Sequence, residues 1–234
     1  MGKLITLLCE SMTAVDLKYE RLNGFTSHEF DMSPVYHSAT ALWKMQTDSP
    51  LPKMELFGPN HFAEEGHNFI SSRFKTRIAS YFWPKRFDPR PFDSDMMLFH
   101  SFASRETNAM EPNAPQWGMH NFVRTLDSPE NPHQWFIYWP TIGHVGFRVG
   151  DENKGVPKDI HQTLVKWFGL IRNDILSITK PSIPMLIHSD HGTARTGHNG
   201  EEFTEGFVFA RGVNLPARCT WDDIRRAELE CLER

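Results

Sequence analysis

Cysteine is scarce in this chain of 234 residues, which contains only Cys9, Cys219 and Cys231. A small, odd number excludes the disulfide framework that holds small secreted domains together. An excess of positive charge is also lacking, because 25 Lys and Arg face 29 Asp and Glu, for a formal net charge of -4. This balance gives no electrostatic reason to expect a nucleic acid as partner. A reduced, cytoplasmic location is the expectation.

Long apolar runs are missing as well. No segment approaches the roughly 18 apolar residues of a membrane span, and the run Leu4–Cys9 is interrupted at Glu10. We therefore expect no membrane span. The hydrophobic fraction is nevertheless 39%, with 18 Phe and 7 Trp, which is enough for a sizeable core. Length and composition together predict one domain over residues 1–234.

Four short apolar runs predict buried strands, and a longer periodic segment predicts a helix. The predicted strands cover residues 4–9, 96–99, 135–139 and 185–187. Apolar residues spaced by three and four between Ile160 and Ile175 form the stripe of an amphipathic helix. The alternation of strands and helices predicts an α/β fold, with a central mixed sheet flanked by helices.

The remaining helices are predicted from spacing and capping residues. One helix is expected to begin near Thr196 and to carry Phe203, Phe207 and Ala210 on one face. The last helix is expected to begin at Trp221, capped by Thr220. A short helix is expected around residues 38–40, and the segments 84–94 and 106–133 are expected to be long loops.

The segment from His188 to Gly197 has the composition of an anion-binding turn between a strand and a helix. Successive backbone N–H groups and the positive end of a helix attract an anion. Arg195 can donate a bidentate pair of hydrogen bonds to a phosphate. The predicted binding residues are Ser189, Asp190, His191, Gly192, Thr193, Ala194 and Arg195.

This segment resembles the signature of the protein tyrosine phosphatases, His-Cys-x-x-Gly-x-x-Arg-Thr/Ser-Gly, with Ser189 in the position of the cysteine. The segment 138–143 resembles the family's Trp-Pro-Asp loop, with Thr141 in the position of the general acid, and 81–84 resembles its Tyr-Trp-Pro motif. The resemblance is firm over residues 81–232 and weak over 1–80.

The resemblance implies a tyrosine-phosphatase-like fold whose catalytic residues are altered. Ser189 would occupy the nucleophile position, although a serine hydroxyl ionises far less readily than a thiol. Thr141 has no proton of suitable pKa for a general acid, and Asp151 or Glu152 are possible replacements. The implied function is an inactive module that uses no cofactor and binds a phosphotyrosine protein or peptide through Arg195, for regulation or substrate trapping.

Two alternatives stay open. In the first, the chain is an active tyrosine phosphatase whose catalytic cysteine has been replaced by Ser189 in order to trap the substrate. In the second, Asp190, His191 and His198 bind a metal ion, since a carboxylate and imidazoles suit Zn²⁺ or Mn²⁺. The second alternative describes a metal-dependent hydrolase, whose activity a chelator removes.

Overall fold

A computed structural model describes ten segments of the chain, and eight strands within them form one sheet. The described segments are residues 2–9, 12, 21–35, 38–47, 70–74, 76–80, 96–98, 133–139, 158–191 and 205–234. The strands are β1 (Leu4–Cys9), β2 (Thr26–Asp31), β3 (Thr76–Ser80), β4 (Met96–Leu98), β5 (Gln134–Trp139), β6 (Met185–Ser189), β7 (Glu205–Arg211) and β8 (Arg218–Cys219). Their order across the sheet is β4-β3-β5-β1-β6-β7-β2-β8.

The sheet is mixed, as the sequence predicts. Strand β1 runs parallel to both neighbours, and Cys9 at its end is in register with Trp139 of β5 and Ser189 of β6. Strand β7 pairs antiparallel with β6 and with β2. The carboxyl ends of β1, β5 and β6 therefore meet at one edge, where open α/β sheets bind their ligands.

Four helices accompany the described strands: α1 (Ser38–Gln46), α2 (Ile70–Arg73), α3 (Lys158–Ile178) and α4 (Trp221–Glu233). Helix α3 contains the predicted apolar stripe, and its Phe168 and Ile175 are buried. Helix α4 begins after Thr220, whose hydroxyl accepts a hydrogen bond from the Asp223 N–H while the Asp223 carboxylate accepts one from the Thr220 N–H. The predicted cap is confirmed. No helix within the described segments is both long enough and apolar enough to cross a membrane.

The core lies between one face of the sheet and helices α1 and α4. All six residues of β1 are fully buried, which explains why the sequence of this strand is apolar without alternation. Strand residues and helix residues share one hydrophobic cluster that includes Leu4, Leu8, Phe136, Leu186, Val208, Leu42, Trp43, Trp221, Ile224 and Leu232. Because β1 lies next to β6, this cluster supports the strand that carries Ser189.

The helix predicted to carry Phe207 and Ala210 is wrong, because both residues belong to strand β7. The spacing of Phe203, Phe207 and Ala210 imitates a helical face, but β7 pairs on both sides, and its residues 206–210 are buried regardless of alternation. Thr196 and Phe203 lie outside the described residues, as do 84–94 and 106–132. The strands of the sheet span Leu4 to Cys219 in one chain, and the single domain over 1–234 stays a prediction.

Candidate functional site at the end of strand β6

Two of the predicted site residues, Asp190 and His191, follow directly after the last residue of β6. Both are fully buried, as is Ser189 before them. Strand β1 lies on one side of β6 and strand β7 on the other. The chain therefore turns at the carboxyl edge of the sheet with an acidic and an imidazole side chain inside the protein.

The Asp190 carboxylate and the His191 side chain face each other. The distance between Asp190 Oδ2 and His191 Nε2 is 3.5 Å. The other carboxylate oxygen, Oδ1, accepts a hydrogen bond of 2.7 Å from the backbone N–H of His191. This bond fixes the carboxylate relative to the turn and directs Oδ2 towards the imidazole.

A metal ion held here needs a further ligand. No group of three His, Cys, Asp or Glu residues suited to a metal occurs within the described segments. His198 is the third ligand that the sequence suggests, and it lies outside those segments together with Thr141, Asp151, Glu152 and the residues 192–195. Of the predicted site residues, the described segments contain Ser189, Asp190 and His191, and the side chains of Asp190 and His191 come together.

The hydroxyl of Ser189 is engaged inside the fold. Ser189 Oγ lies 3.3 Å from Met32 Sδ, to which it donates, and accepts a bond of 3.4 Å from the backbone N–H of Phe207. Met32 follows β2, and Phe207 lies in β7. The side chain of Ser189 therefore links β6 to the two strands beyond it.

Gly206 leaves the space that the Ser189 hydroxyl occupies. A Cβ atom at position 206 would collide with Ser189 Oγ and would lie 2.7 Å from Met32 Sδ. We expect Gly206→Ala to lower the free energy of unfolding by about 1–3 kcal/mol, because a packed interior does not absorb an extra methyl group without displacement. Chemical denaturation of the two proteins measures this difference.

Gly169→Ala is the matched control for this substitution. Gly169 lies within α3, and among the described residues a Cβ there would meet the Arg172 guanidinium alone, at 3.8 Å, which is an ordinary contact. Because alanine favours a helix over glycine, the control should gain about 0.5–1 kcal/mol. Equal stability of wild-type protein and the Gly206→Ala variant would contradict the packing described for Ser189.

His188 lies on the opposite side of β6 from Ser189, in an apolar surrounding. Its Nδ1 is 2.8 Å from the backbone carbonyl oxygen of Ser189. The rings of Phe30 and Trp221 lie nearly perpendicular to the His188 ring, at centroid distances of 5.9 and 6.0 Å. Burial lowers the pKa of His188 to about 4, against the opposing effects of the Ser189 carbonyl and the Asp190 carboxylate. The ring is therefore neutral at pH 7, and Nδ1 carries the hydrogen that it donates to the carbonyl.

Comparison with known proteins identifies the fold of this chain but assigns it to no family. No protein-family model and no curated protein matches the sequence. The structure of the alkaline phosphatase from the Antarctic bacterium TAB5 is similar, with 12% identity, a TM-score of 0.64 and coverage of 99% of this chain and 98% of that chain. A protein in the alkaline phosphatase superfamily from Vibrio parahaemolyticus gives 12% identity and a TM-score of 0.64, over 99% of this chain and 66% of that one.

A third similar structure is the lipoteichoic acid synthase LtaP from Listeria monocytogenes, with 11% identity, a TM-score of 0.62 and coverage of 96% of this chain and 70% of that chain. Identities this low establish a shared fold and nothing finer. The chain therefore has the mixed α/β fold of alkaline phosphatase superfamily proteins, with helices flanking the central sheet.

The resemblance to protein tyrosine phosphatases is wrong, because the similar structures belong to the alkaline phosphatase superfamily. The matching motif is short, and its glycines and polar residues suit any turn that follows a strand. The helix expected to begin near Thr196 and to carry Phe207 does not extend over residues 205–211, which form a strand antiparallel to β6. The roles given to Ser189, Thr141 and Arg195, and the phosphotyrosine partner, lose the support of that resemblance and stay untested.

Sequence reasoning did not find the residues that frame the turn. Met32 follows β2, Gly206 lies in β7 and Trp221 begins α4, and no motif connects them with residues 188–191. The sequence contains one signal for the position of the site, the end of the apolar run at Cys9, which is in register with Ser189. Parallel strands whose ends coincide would have pointed to this edge of the sheet.

Proposed function

We propose that this protein is a metal-dependent hydrolase of phosphate esters, with Asp190, His191 and His198 as metal ligands. One observation carries the proposal: a fully buried carboxylate and imidazole face each other at 3.5 Å, at the carboxyl edge of the sheet. The similarity of the fold to that of the TAB5 alkaline phosphatase supports the class of reaction. A phosphate group remains the expected ligand, now as part of a substrate.

The chemistry of the donors fits a divalent ion. A carboxylate oxygen and an imidazole nitrogen are ligands that Zn²⁺ and Mn²⁺ accept. Two such atoms stand about 3.4 Å apart when each lies about 2.1 Å from one tetrahedral Zn²⁺. The distance between Asp190 Oδ2 and His191 Nε2 is 3.5 Å. The pair therefore has the separation that a shared ion needs.

Burial of the pair also favours a cation. A charged group removed from water costs free energy unless an opposite charge compensates it. Asp190 and His191 have no exposed surface, so the positive charge of a bound ion would stabilise the buried carboxylate, which also accepts from the His191 N–H. When bound, the ion supplies a Lewis acid that draws charge from a phosphoryl oxygen.

The residues of the chain hold and orient this group. The bond from the His191 N–H to Asp190 Oδ1 leaves Oδ2 directed at the imidazole. The contacts of Ser189 with Met32 and Phe207 fix the start of the turn in the sheet. The proposal therefore gives Ser189 a packing role and makes Asp190 and His191 the metal ligands.

Removal of the metal is the test of the proposal. The protein is dialysed against a chelator, freed of the chelator and assayed with p-nitrophenyl phosphate before and after addition of Zn²⁺ or Mn²⁺. We expect the activity to disappear with the metal and to return on addition of one of the two ions. Metal content is measured on the same samples by mass spectrometry. Hydrolysis that survives complete metal removal, or no hydrolysis in any sample, would contradict the proposal.

A further inference from the structure

Among the buried polar side chains outside the ligand pair, His188 has the most direct connection to it. The Nδ1–H of its ring donates to the carbonyl oxygen of Ser189, at 2.8 Å. That carbonyl belongs to the peptide group whose nitrogen is the backbone nitrogen of Asp190. A hydrogen bond to the oxygen therefore sets the plane of the peptide that leads into the proposed ligands.

The ring is itself held from several directions. The rings of Phe30 and Trp221 pack nearly perpendicular to it, at interplanar angles of 90° and 76°. Trp221 is fixed in turn, because its indole N–H donates to the backbone carbonyl of Met32 at 2.8 Å. The side chain of the same Met32 receives the Ser189 hydroxyl. His188, Trp221, Met32 and Ser189 thus form a closed circuit of contacts around the end of β6.

The other ring nitrogen indicates why a histidine is used. His188 Nε2 is buried and has no hydrogen-bond partner within the described part of the structure. A buried polar atom without a partner is destabilising. A leucine would avoid this cost in a surrounding of Phe30 and Trp221. The contribution of the histidine is therefore the bond made by Nδ1.

We infer that His188 is a positioning residue for the proposed metal site, which orients the Ser189–Asp190 peptide and thereby the pair Asp190 and His191. The inference rests on the proposed function for the metal, and on the hydrogen bond of Nδ1 for the orientation. It assigns His188 no contact with the metal or the substrate. Groups that orient metal ligands commonly affect metal affinity by about 10- to 100-fold.

Three substitutions separate orientation from packing. In His188→Asn the amide nitrogen takes the place of Nδ1 and can donate to the Ser189 carbonyl. In His188→Gln the amide extends past that position, and His188→Leu removes every donor. We expect the Kd for Zn²⁺ alone to rise about tenfold or more in the Gln and Leu variants and to stay within about threefold in the Asn variant.

His28→Leu is the matched control. His28 lies on β2 and its Nδ1 is also 2.8 Å from a backbone carbonyl, that of Pro216. Its loss should leave the Zn²⁺ affinity unchanged. Thermal unfolding of all variants is recorded as well, so that each change in Zn²⁺ affinity is compared with the change in stability.

A second readout uses the metal-free protein. Amide hydrogen exchange by NMR is followed at His191, whose N–H donates to Asp190, and at Leu7 of β1, which reports on global opening. Exchange at His191 relative to Leu7 should rise about tenfold in His188→Leu and His188→Gln but not in His188→Asn.

The two readouts distinguish the two claims. Unchanged exchange at His191 in the Leu and Gln variants, or a Zn²⁺ affinity that merely follows thermal stability, would overturn the positioning role. Absence of Zn²⁺ and Mn²⁺ binding by wild-type protein would overturn the proposed function instead, and the metal-free exchange data would then decide on the orientation of the peptide alone.

Discussion

Asp190→Asn is expected to lower the hydrolysis of p-nitrophenyl phosphate about 100-fold or more at a fixed, limiting metal concentration. The substitution removes the negative charge from the proposed ligand. An asparagine Oδ1 can still accept the bond from the His191 N–H that Asp190 accepts. The turn should therefore keep its conformation while the affinity for the metal falls. Titration with Zn²⁺ and steady-state kinetics on the same preparation measure both effects.

Asp222→Asn is the control for Asp190→Asn. Asp222 lies in the first turn of α4, with 70% of its side chain exposed. Activity and Zn²⁺ affinity should be those of wild-type protein. If Asp190→Asn retained full activity and full affinity, Asp190 would not be a metal ligand.

The contribution of Glu228 to the stability of the protein is expected to fall as the pH rises from about 4.5 to 7. This carboxyl is fully buried in α4, and its Oε1 accepts a 2.6 Å bond from the Thr6 hydroxyl. Desolvation by burial raises the pKa of Glu228 from 4.5 to about 7, while the bond from Thr6 acts in the opposite direction. The Gln134 amide is 3.4 Å from the same oxygen.

The sign of this pH dependence follows from whether Glu228 carries a proton in the native and in the unfolded state. Between pH 4.5 and 7 the native state holds the Glu228 proton and the unfolded chain has released it, so each rise in pH lowers the stability that this group contributes. The contribution is complete below pH 4.5 and lost above pH 7. The raised pKa corresponds to about 3 kcal/mol. Urea denaturation at pH 4.5, 6, 7 and 8 measures it.

Glu228→Gln isolates this contribution, because a glutamine oxygen can still accept from Thr6 and does not ionise. We expect the variant to gain stability over wild-type protein as the pH rises and the two to differ least at pH 4.5. Glu230→Gln, an exposed position on the same helix, should follow the wild-type curve. Parallel curves for wild-type protein and Glu228→Gln would show that Glu228 does not ionise in this range.

The sequence predicts those strands and helices whose residue pattern follows from their own burial or from local hydrogen bonds. Strand β1 is buried on both faces, so that its apolar run and its bounds coincide. Helix α4 starts at the predicted cap because the exchange of bonds between Thr220 and Asp223 is local. Strand β2, with the sequence TSHEFD, has mostly exposed or half-buried residues and gives no such pattern. Its place depends on pairing with β7, far along the chain.

The sequence predicts the site only in part, again because local patterns do not encode tertiary contacts. Asp190 and His191 stand out as possible ligands in the sequence, but the short segment around them fits two kinds of turn. The similar structures decide against the tyrosine phosphatase resemblance, and β7 could not be recognised from Phe207 and Ala210 alone. The support of the turn by Met32, Gly206 and Trp221 depends on tertiary contacts that no local pattern encodes.

The most direct test of the proposed metal site is X-ray diffraction from crystals of the Zn²⁺-loaded protein, with data collected on both sides of the zinc absorption edge. We expect an anomalous difference peak between the Asp190 carboxylate and the His191 imidazole, present above the edge and absent below it. A peak only elsewhere, or a loaded crystal with none, would contradict the assignment of Asp190 and His191 as metal ligands.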